Sequence, residues 1–228
     1  MADQMPKMKK TIYTIYIKRI LDVFLSGAAI VILSPLLIII TIFVFIYHGR
    51  PILFAQNRPG KNGKVFKVYK FRSMTNDKDE NGNLLSEEQR LTAFGKLIRR
   101  LSLDELPELF CILTGKMSVI GPRPLLTRYL PLYTERHMHR HDIRPGFACV
   151  PLKPMNTWTW NDQFENDIWY IENCSFLVDV KMILAVLREA VAGAEYRVSG
   201  TREEFIGTNL YADAKGGSTN ESSSNSSA

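Results

Sequence analysis

Only three cysteines occur in 228 residues. Cys111, Cys149 and Cys174 are odd in number and far apart, which excludes a disulfide framework and the paired spacing of a zinc site. They are expected to be reduced, buried, structural thiols. Histidine is nearly as sparse, with four residues. His137, His139 and His141 alternate, but no carboxylate completes a metal set around them, so they read as solvent-facing residues ahead of an Arg144-Pro145-Gly146 turn. No internal repeat is visible, and the length argues against two full-sized domains. Small residues are missing where a signal peptidase would need them before Arg50-Pro51, and the apolar run upstream is too long for a signal core, which argues against a cleaved leader. Acidic residues fall short of basic ones, 23 against 29, and the resulting formal charge of +6 and pI near 9.2 favour acidic partners. Nucleic acid, anionic lipid and phosphorylated small molecules all satisfy that charge.

What the chain does have is an apolar run from Ile20 to Tyr47 behind a basic lead containing Lys7, Lys9, Lys10, Lys18 and Arg19. About 20 apolar residues suffice to cross a hydrocarbon core of roughly 30 Å. Pro35 lies mid-run, however, where it removes a backbone donor and crowds the carbonyl of Val31, while the Ser34 hydroxyl can bond a carbonyl freed in the preceding turn. A kink at Ser34-Pro35 leaves two halves too short to span alone. Basic residues flank the run on both sides, with Arg50, Arg58, Lys61, Lys64, Lys67 and Lys70 after it. A single span should carry the basic excess on one side only, so a re-entrant hairpin is favoured over a kinked single-pass anchor. Asp22 is expected to pair with Lys18 or Arg19 at the interface. The chain therefore divides into a basic lead (1–19), a re-entrant membrane helix (20–48), a cytoplasmic domain (49–212) and a disordered tail (213–228) of Ala, Lys, Gly, Ser, Thr, Asn and Glu.

Beyond Arg50 the pattern predicts a β-hairpin, with strands Ile52 to Asn57 and Lys64 to Phe71 around a turn at 58–63. A polar loop from Asn76 to Glu88 precedes an amphipathic helix over Gln89 to Arg100, with Leu91, Phe94, Leu97, Ile98 and Leu101 on its apolar stripe. SLDELPELFCIL reads as a second helix, Leu126 to His139 as a third and the strongly apolar Phe176 to Ala192 as a fourth, suited to packing on the membrane segment or lying in the interface. Trp158, Trp160, Trp169 and Tyr170 suit either the lipid headgroup level or the core. The fold class is α+β: a re-entrant membrane helix hairpin and a small, mostly helical domain carrying a β-hairpin.

Ser102 followed three residues later by Glu105 has the form of a capping box, placing Asp104 in a first helical turn. There the free amides, with Arg99 and Arg100, should keep Asp104 ionised and can stabilise a phosphate attached to it. Pro107 should free the carbonyl of Leu103. The plainer reading is that acidic residues simply favour first turns. Arg123 sits between Pro122 and Pro124, so a stiff segment presents its guanidinium for bidentate phosphate contact. Lys70 and Arg72, two apart on a strand, share a face and can line the same site.

Taken in order, KRILD at Lys18, SP at Ser34, NRPG at Asn57, KFRSM at Lys70, LTAFGKLIRRLSLDELPEL at Leu91, GPRPLL at Gly121, RPG at Arg144 and FENDIWY at Phe164 resemble the small monotopic phosphoglycosyl transferases, the bacterial sugar transferases. That resemblance implies an Asp104-Glu105 dyad at the cytoplasmic face of the bacterial inner membrane. It implies that Asp104 attacks the sugar-bearing phosphorus of a UDP-sugar, N-acetylated amino sugars being favoured, releasing UMP and forming a covalent phosphosugar. Undecaprenyl phosphate then takes the sugar phosphate. Mg²⁺ held by Asp104 and Glu105 is implied, as are Lys70, Arg99 and Arg123 as phosphate-binding cations. The implied partners are the nucleotide sugar, the lipid acceptor and the bilayer, with a homodimer possible and nucleic acid excluded. One stretch departs from the family: Phe147 to Asn156 reads FACVPLKPMN, lacking the arginine expected near Met155, and Lys153 is the candidate replacement. That departure favours altered sugar specificity and keeps open an impaired homologue or a membrane-tethered anionic-lipid-binding module.

Overall fold

The computed structural model describes residues 5–149, 159–192 and 204–210. One long apolar helix leads into a small domain of short helices, a β-hairpin and a second two-stranded sheet. After a π-helical lead, Tyr13–Ile17, helix α1 runs unbroken over Lys18–His48 and contains Pro35. The stretch Tyr13–His48 is long and apolar enough to cross a membrane. Helical structure thus continues through Pro35. Ser34 donates to the carbonyl of Val31 at 2.8 Å, supplying a partner at the position where proline removes one.

Both halves of α1 rest on the same domain. Near its start, Arg19 donates to the carbonyls of Ile112 and Leu113 at 2.7 and 2.8 Å. Asp22 accepts from the Ser118 hydroxyl and the Val119 amide at 3.0 and 2.9 Å. The expected pairing of Asp22 with Lys18 or Arg19 does not form, because Lys18 turns to Asp179 at 2.5 Å and Arg19 caps the two carbonyls. Towards its end, Ile40 and Val44 are buried against Phe71 and Ile98, and His48 reaches the Thr92 hydroxyl at 2.8 Å. Between these anchor points Val31 and Ile32 are exposed.

The hairpin forms as expected, with strands β1 (Leu53–Pro59) and β2 (Val65–Phe71) antiparallel in the register Leu53↔Phe71 to Pro59↔Val65. The first strand extends to Pro59, two residues past the expected end, because the chain reverses within Lys61–Gly63, where Asn62 accepts a left-handed φ of 56°. Gln56 and Arg58 face the same side as Phe66, Val68 and Lys70, the side that meets the later helix around Cys111 and Ile112.

The amphipathic helix expected over Gln89 to Arg100 is divided. A one-turn α2 (Glu87–Arg90) is closed by a Ser86–Gln89 capping box. Leu91 then turns extended, and Thr92 caps a new helix, α3 (Ala93–Arg100), by accepting from the Gly95 amide at 2.9 Å. Ile98 and Phe94 face the core, whereas Leu97 and Leu101 are exposed. Gly95 is where α3 touches the chain just beyond β2: a methyl group there would lie 1.9 Å from the Ser73 carbonyl oxygen.

Two further sheet strands escaped the sequence pattern. β3 (Ser118–Ile120) and β4 (Gly146–Ala148) pair in parallel through Ser118↔Gly146 and Ile120↔Ala148. Between them the expected helix over Leu126 to His139 is replaced by a 3₁₀ segment, Thr127–Leu132, a single turn α5 (Glu135–Met138) and a second 3₁₀ turn, His139–His141. Pro131 inside the first segment explains the break. His137 and His141 are buried, contrary to the solvent-facing expectation, while His139 pairs with Asp142 at 2.9 Å. The domain closes with α6 (Trp160–Asn173) and the expected α7 (Phe176–Ala192). Trp160 and Tyr170 belong to the core and Trp169 is exposed, while Trp158 lies outside the described residues. Phe205, from the separate segment 204–210, is fully buried against Tyr129, Tyr133, Trp160 and Phe164. The cysteines are free thiols, Cys111 and Cys174 buried and Cys149 less so.

Candidate active site

Asp104 and Glu105 sit in a 3₁₀ turn, Leu103–Glu105, wedged between α3 and a separate helix α4 (Glu108–Leu113). The single helix expected here does not form, because Pro107 cannot donate within it and instead becomes the N-cap of α4. Ser102 does not cap the turn with its side chain. It takes a left-handed conformation, φ 54° and ψ 23°, which swings the chain out of α3 and sets the dyad at the junction. The Leu103 carbonyl is likewise not left open by Pro107, since the Leu106 amide donates to it at 3.3 Å.

Two cations from separate elements converge on Glu105. From β2, Lys70 donates to its Oε1 at 2.6 Å and also lies 3.5 Å from Oε1 of Glu108 on α4. From the proline-framed segment after β3, Arg123 forms a very short contact with the same Oε1. Burial alone would push the Glu105 carboxyl up, but the positive charges of Arg123 and Lys70 outweigh it and hold the carboxyl below the ordinary range. Glu105 is therefore a clamped anion.

Asp104 is the opposite case. It is half-buried, and among the described residues no ion pair engages it. Burial and then the like charge of Glu105 raise its carboxyl above the usual value, against the weaker opposing pull of Lys70 and Arg99. At Asp104, burial and the neighbouring carboxylate thus outweigh the pull of Lys70 and Arg99, while the ion pairs of Lys70 and Arg123 go to Glu105. Glu108, absent from the sequence-based candidates, is buried and raised by burial and by Glu105. Its spacing three residues after Glu105 across Pro107 was the signal available.

The remaining candidates separate. Arg99 donates to the Ser73 hydroxyl at 2.7 Å, close enough for its charge to reach Asp104. Arg72 leaves the site: it is buried, donating to the carbonyls of Pro51 and Met74 at 3.1 and 3.3 Å. Lys70 and Arg72 thus do not line a common surface, because the Arg72 guanidinium is held by the Pro51 and Met74 carbonyls whereas Lys70 reaches Glu105. Lys153 and most of the divergent Phe147 to Asn156 stretch lie outside the described residues.

Behind Arg123 stands a buried pair. Arg140 meets Asp167 at 2.7 Å and donates to the Arg123 carbonyl at 2.8 Å and the Tyr133 hydroxyl at 3.1 Å. The backbone of Arg123 is therefore fixed from within, while its guanidinium stays half-exposed at the dyad. Among the described residues no cluster of three or more potential ligands could hold a metal without a substrate's help.

A half-buried carboxylate without an ion pair among the described residues, beside a clamped one and near cations, is an arrangement for phosphoryl chemistry. The profile of the bacterial sugar transferases matches residues 13–193, four-fifths of the chain and all the elements that build this site. The chain belongs to the bacterial sugar transferase family. Its relatives include the uncharacterized sugar transferase EpsL of Bacillus subtilis strain 168, 43% identical over 84% of this chain and 96% of that protein. The UDP-N-acetylgalactosamine-undecaprenyl-phosphate N-acetylgalactosaminephosphotransferase of Aeromonas hydrophila is 33% identical over 78% of this chain and 44% of its own length. The UDP-glucose:undecaprenyl-phosphate glucose-1-phosphate transferase of Escherichia coli K12 is 34% identical over 79% of this chain and 41% of its own length. The chain thus spans nearly all of the first relative and under half of the other two. Family and relatives bear out the expectation of a phosphoglycosyl transferase.

Proposed function

We propose that this sugar transferase moves a sugar 1-phosphate from a UDP-sugar to undecaprenyl phosphate through a covalent intermediate on Asp104. The observation carrying the proposal is the asymmetry of the dyad: Glu105 is held by Lys70 and Arg123, while its neighbour is left without an ion pair among the described residues. An Asp104 carboxylate oxygen attacks the phosphorus bearing the sugar. The bond from that phosphorus to the bridging oxygen breaks, and UMP leaves with its electron pair. A phosphate oxygen of undecaprenyl phosphate then attacks the same phosphorus and expels the carboxylate, restoring Asp104. Lys70 and Arg123 offset the negative charge that gathers during both attacks. Reactivity follows from the environment, since a desolvated carboxylate is a stronger nucleophile than a hydrated one.

Both cations on Glu105 converge on Oε1, so Oε2 and the Asp104 carboxylate remain for Mg²⁺. Two carboxylates completed by substrate phosphate and water are the usual donor set of that ion, which would neutralise the diphosphate.

The re-entrant course of α1 belongs to the same proposal. A straight helix of 31 residues would be about 46 Å long, more than a bilayer core requires. Yet Arg19, Asp22, Ile40 and Val44 all contact one domain, which supports both ends lying on one side, with Val31 and Ile32 in the lipid. That side is the cytoplasmic face of the inner membrane in this reading, where nucleotide sugars are found and where the basic flanks belong.

Incubating purified protein with a UDP-sugar alone, quenching, and measuring intact mass tests the intermediate. A sugar phosphate adduct lost in Asp104→Asn is expected. Sustained UMP release with acceptor but without any adduct would overturn the covalent route.

A further inference from the structure

We propose that Arg58 is a second anion-binding guanidinium of this site, standing with Arg123 to receive the diphosphate of the donor; this rests on the transferase reading above. The register of the hairpin supplies the geometry. Arg58 pairs with Phe66, Gln56 with Val68 and Phe54 with Lys70, so Arg58 projects from the same face as the lysine that holds Glu105. Its backbone is stiff. Pro59 follows in the strand and is buried, and the tight turn beyond is closed by the Gly60 amide donating to Lys64 at 2.9 Å.

Arg58 is partly buried, yet its hydrogen bond goes to a neutral group, Oε1 of Gln56 at 2.7 Å. Among the described residues no carboxylate lies within ion-pair distance of it. Glu105 is already occupied by Lys70 and Arg123. Burial and next the like charge of Arg123 bring the Arg58 guanidinium below its ordinary range, against the opposing pull of Glu108, Tyr129 and Glu105. The charge of Arg123 thus reaches a guanidinium whose hydrogen bond is to a neutral amide, on the Lys70 face of the hairpin. A residue kept for stability would be expected to face a carboxylate, whereas a residue kept for a ligand lacks its counter-ion until the ligand arrives. Each guanidinium carries five donors in a fork that matches two phosphate oxygens. Arg58 spends one on Gln56 and Arg123 one on Glu105.

The experiment uses the full chain in detergent micelles with Mg²⁺, titrated with UDP and with inorganic pyrophosphate, alongside UMP release from UDP-sugars with undecaprenyl phosphate. Arg58→Gln is expected to weaken both ligands by about 10- to 100-fold, with Arg58→Lys intermediate because it keeps charge but loses the fork. The thermal midpoint of both variants should stay at that of the natural protein, which a purely structural role for Arg58 would not allow. Binding by Arg58→Gln within about threefold of the natural chain, or no binding by the natural chain, overturns the inference. If pyrophosphate binding depends on Arg58 but no UDP-sugar yields UMP, the transferase reading fails and the anion site stands. If Arg58→Gln turns over with an unchanged donor KM, Arg58 has no such role and the transferase reading is untouched.

Discussion

Removing the charge of Asp167 isolates the device that fixes Arg123. Arg140 and Asp167 have side chains only 1% and 2% exposed and meet at 2.7 Å, with the Arg140 guanidinium also over the rings of Tyr133 and Phe164 at 5.6 and 5.5 Å. Asp167→Asn keeps the shape but leaves a cation buried without its counter-charge, a change worth about 3–5 kcal/mol. Against a typical folding free energy of roughly 5–15 kcal/mol, that lowers the folding constant by about 10² to 10⁴. The double replacement Arg140→Met with Asp167→Leu removes both charges and should cost less than Asp167→Asn alone. Stability and activity then diverge. The Arg123 carbonyl, which accepts from Arg140 at 2.8 Å, loses its donor in the double variant, so UMP release should remain low although the fold is recovered. Urea unfolding in micelles followed by circular dichroism, paired with UMP release, separates the two. A destabilisation of Asp167→Asn below about 1 kcal/mol, or a double variant as unstable as the sum of its parts, refutes the reasoning.

Gly146→Ala should prevent stable folding or cost several kcal/mol, because the added methyl would lie 2.0 Å from the Gly121 amide nitrogen and the paired strands cannot separate without moving Arg123; expression and thermal melting report it. His141 is buried, with Nε2 unpartnered, and its imidazole is pulled down to about 4 by burial and by Arg140. A base depressed in the folded state binds fewer protons than in the unfolded chain between that value and about 6.5, so stability falls as pH falls through this window. From pH 7 to pH 5 the loss from His141 is about 2 kcal/mol, and His141→Phe should flatten that part of the slope in denaturation series at the two pH values. Cysteine labels placed at Lys9 and at Arg58 in sealed vesicles should react from the same side of the membrane; reaction from opposite sides would exclude the re-entrant course of α1.

Elements governed by local pattern were legible from the residues. The hairpin, the long apolar helix and α7 follow from alternation, hydropathy and helical periodicity. The serine before Pro35 was legible too, because its bond to the Val31 carbonyl depends only on the preceding turn. The dyad's position was found for partly mistaken reasons: Ser102-x-x-Glu105 looks like a capping box, whereas tertiary contacts impose a left-handed serine and a 3₁₀ turn. The strands β3 and β4 were missed because each is three residues long and gains its pairing only from a partner 28 positions away in sequence. Arg72 was assigned to the dyad's surroundings by strand periodicity, whereas its guanidinium is claimed by the carbonyls of Pro51 and Met74, which no strand pattern reveals. Glu108 was overlooked because a charged residue near a proline usually marks surface, and only its approach to Lys70 across the fold shows otherwise; Arg58 was read as one of the basic residues flanking the apolar run.

The parallel pair β3 and β4 closes a loop at its neck, with Gly121 and Gly146 in backbone contact, and the loop carries Arg123, Tyr129, Tyr133 and Arg140. Asp104, Glu105 and Lys70 belong to chain outside that loop. Residues inside the neck can thus be exchanged while Asp104, Glu105 and Lys70 keep their places, because the chain that carries these three is folded independently of the loop's length and course.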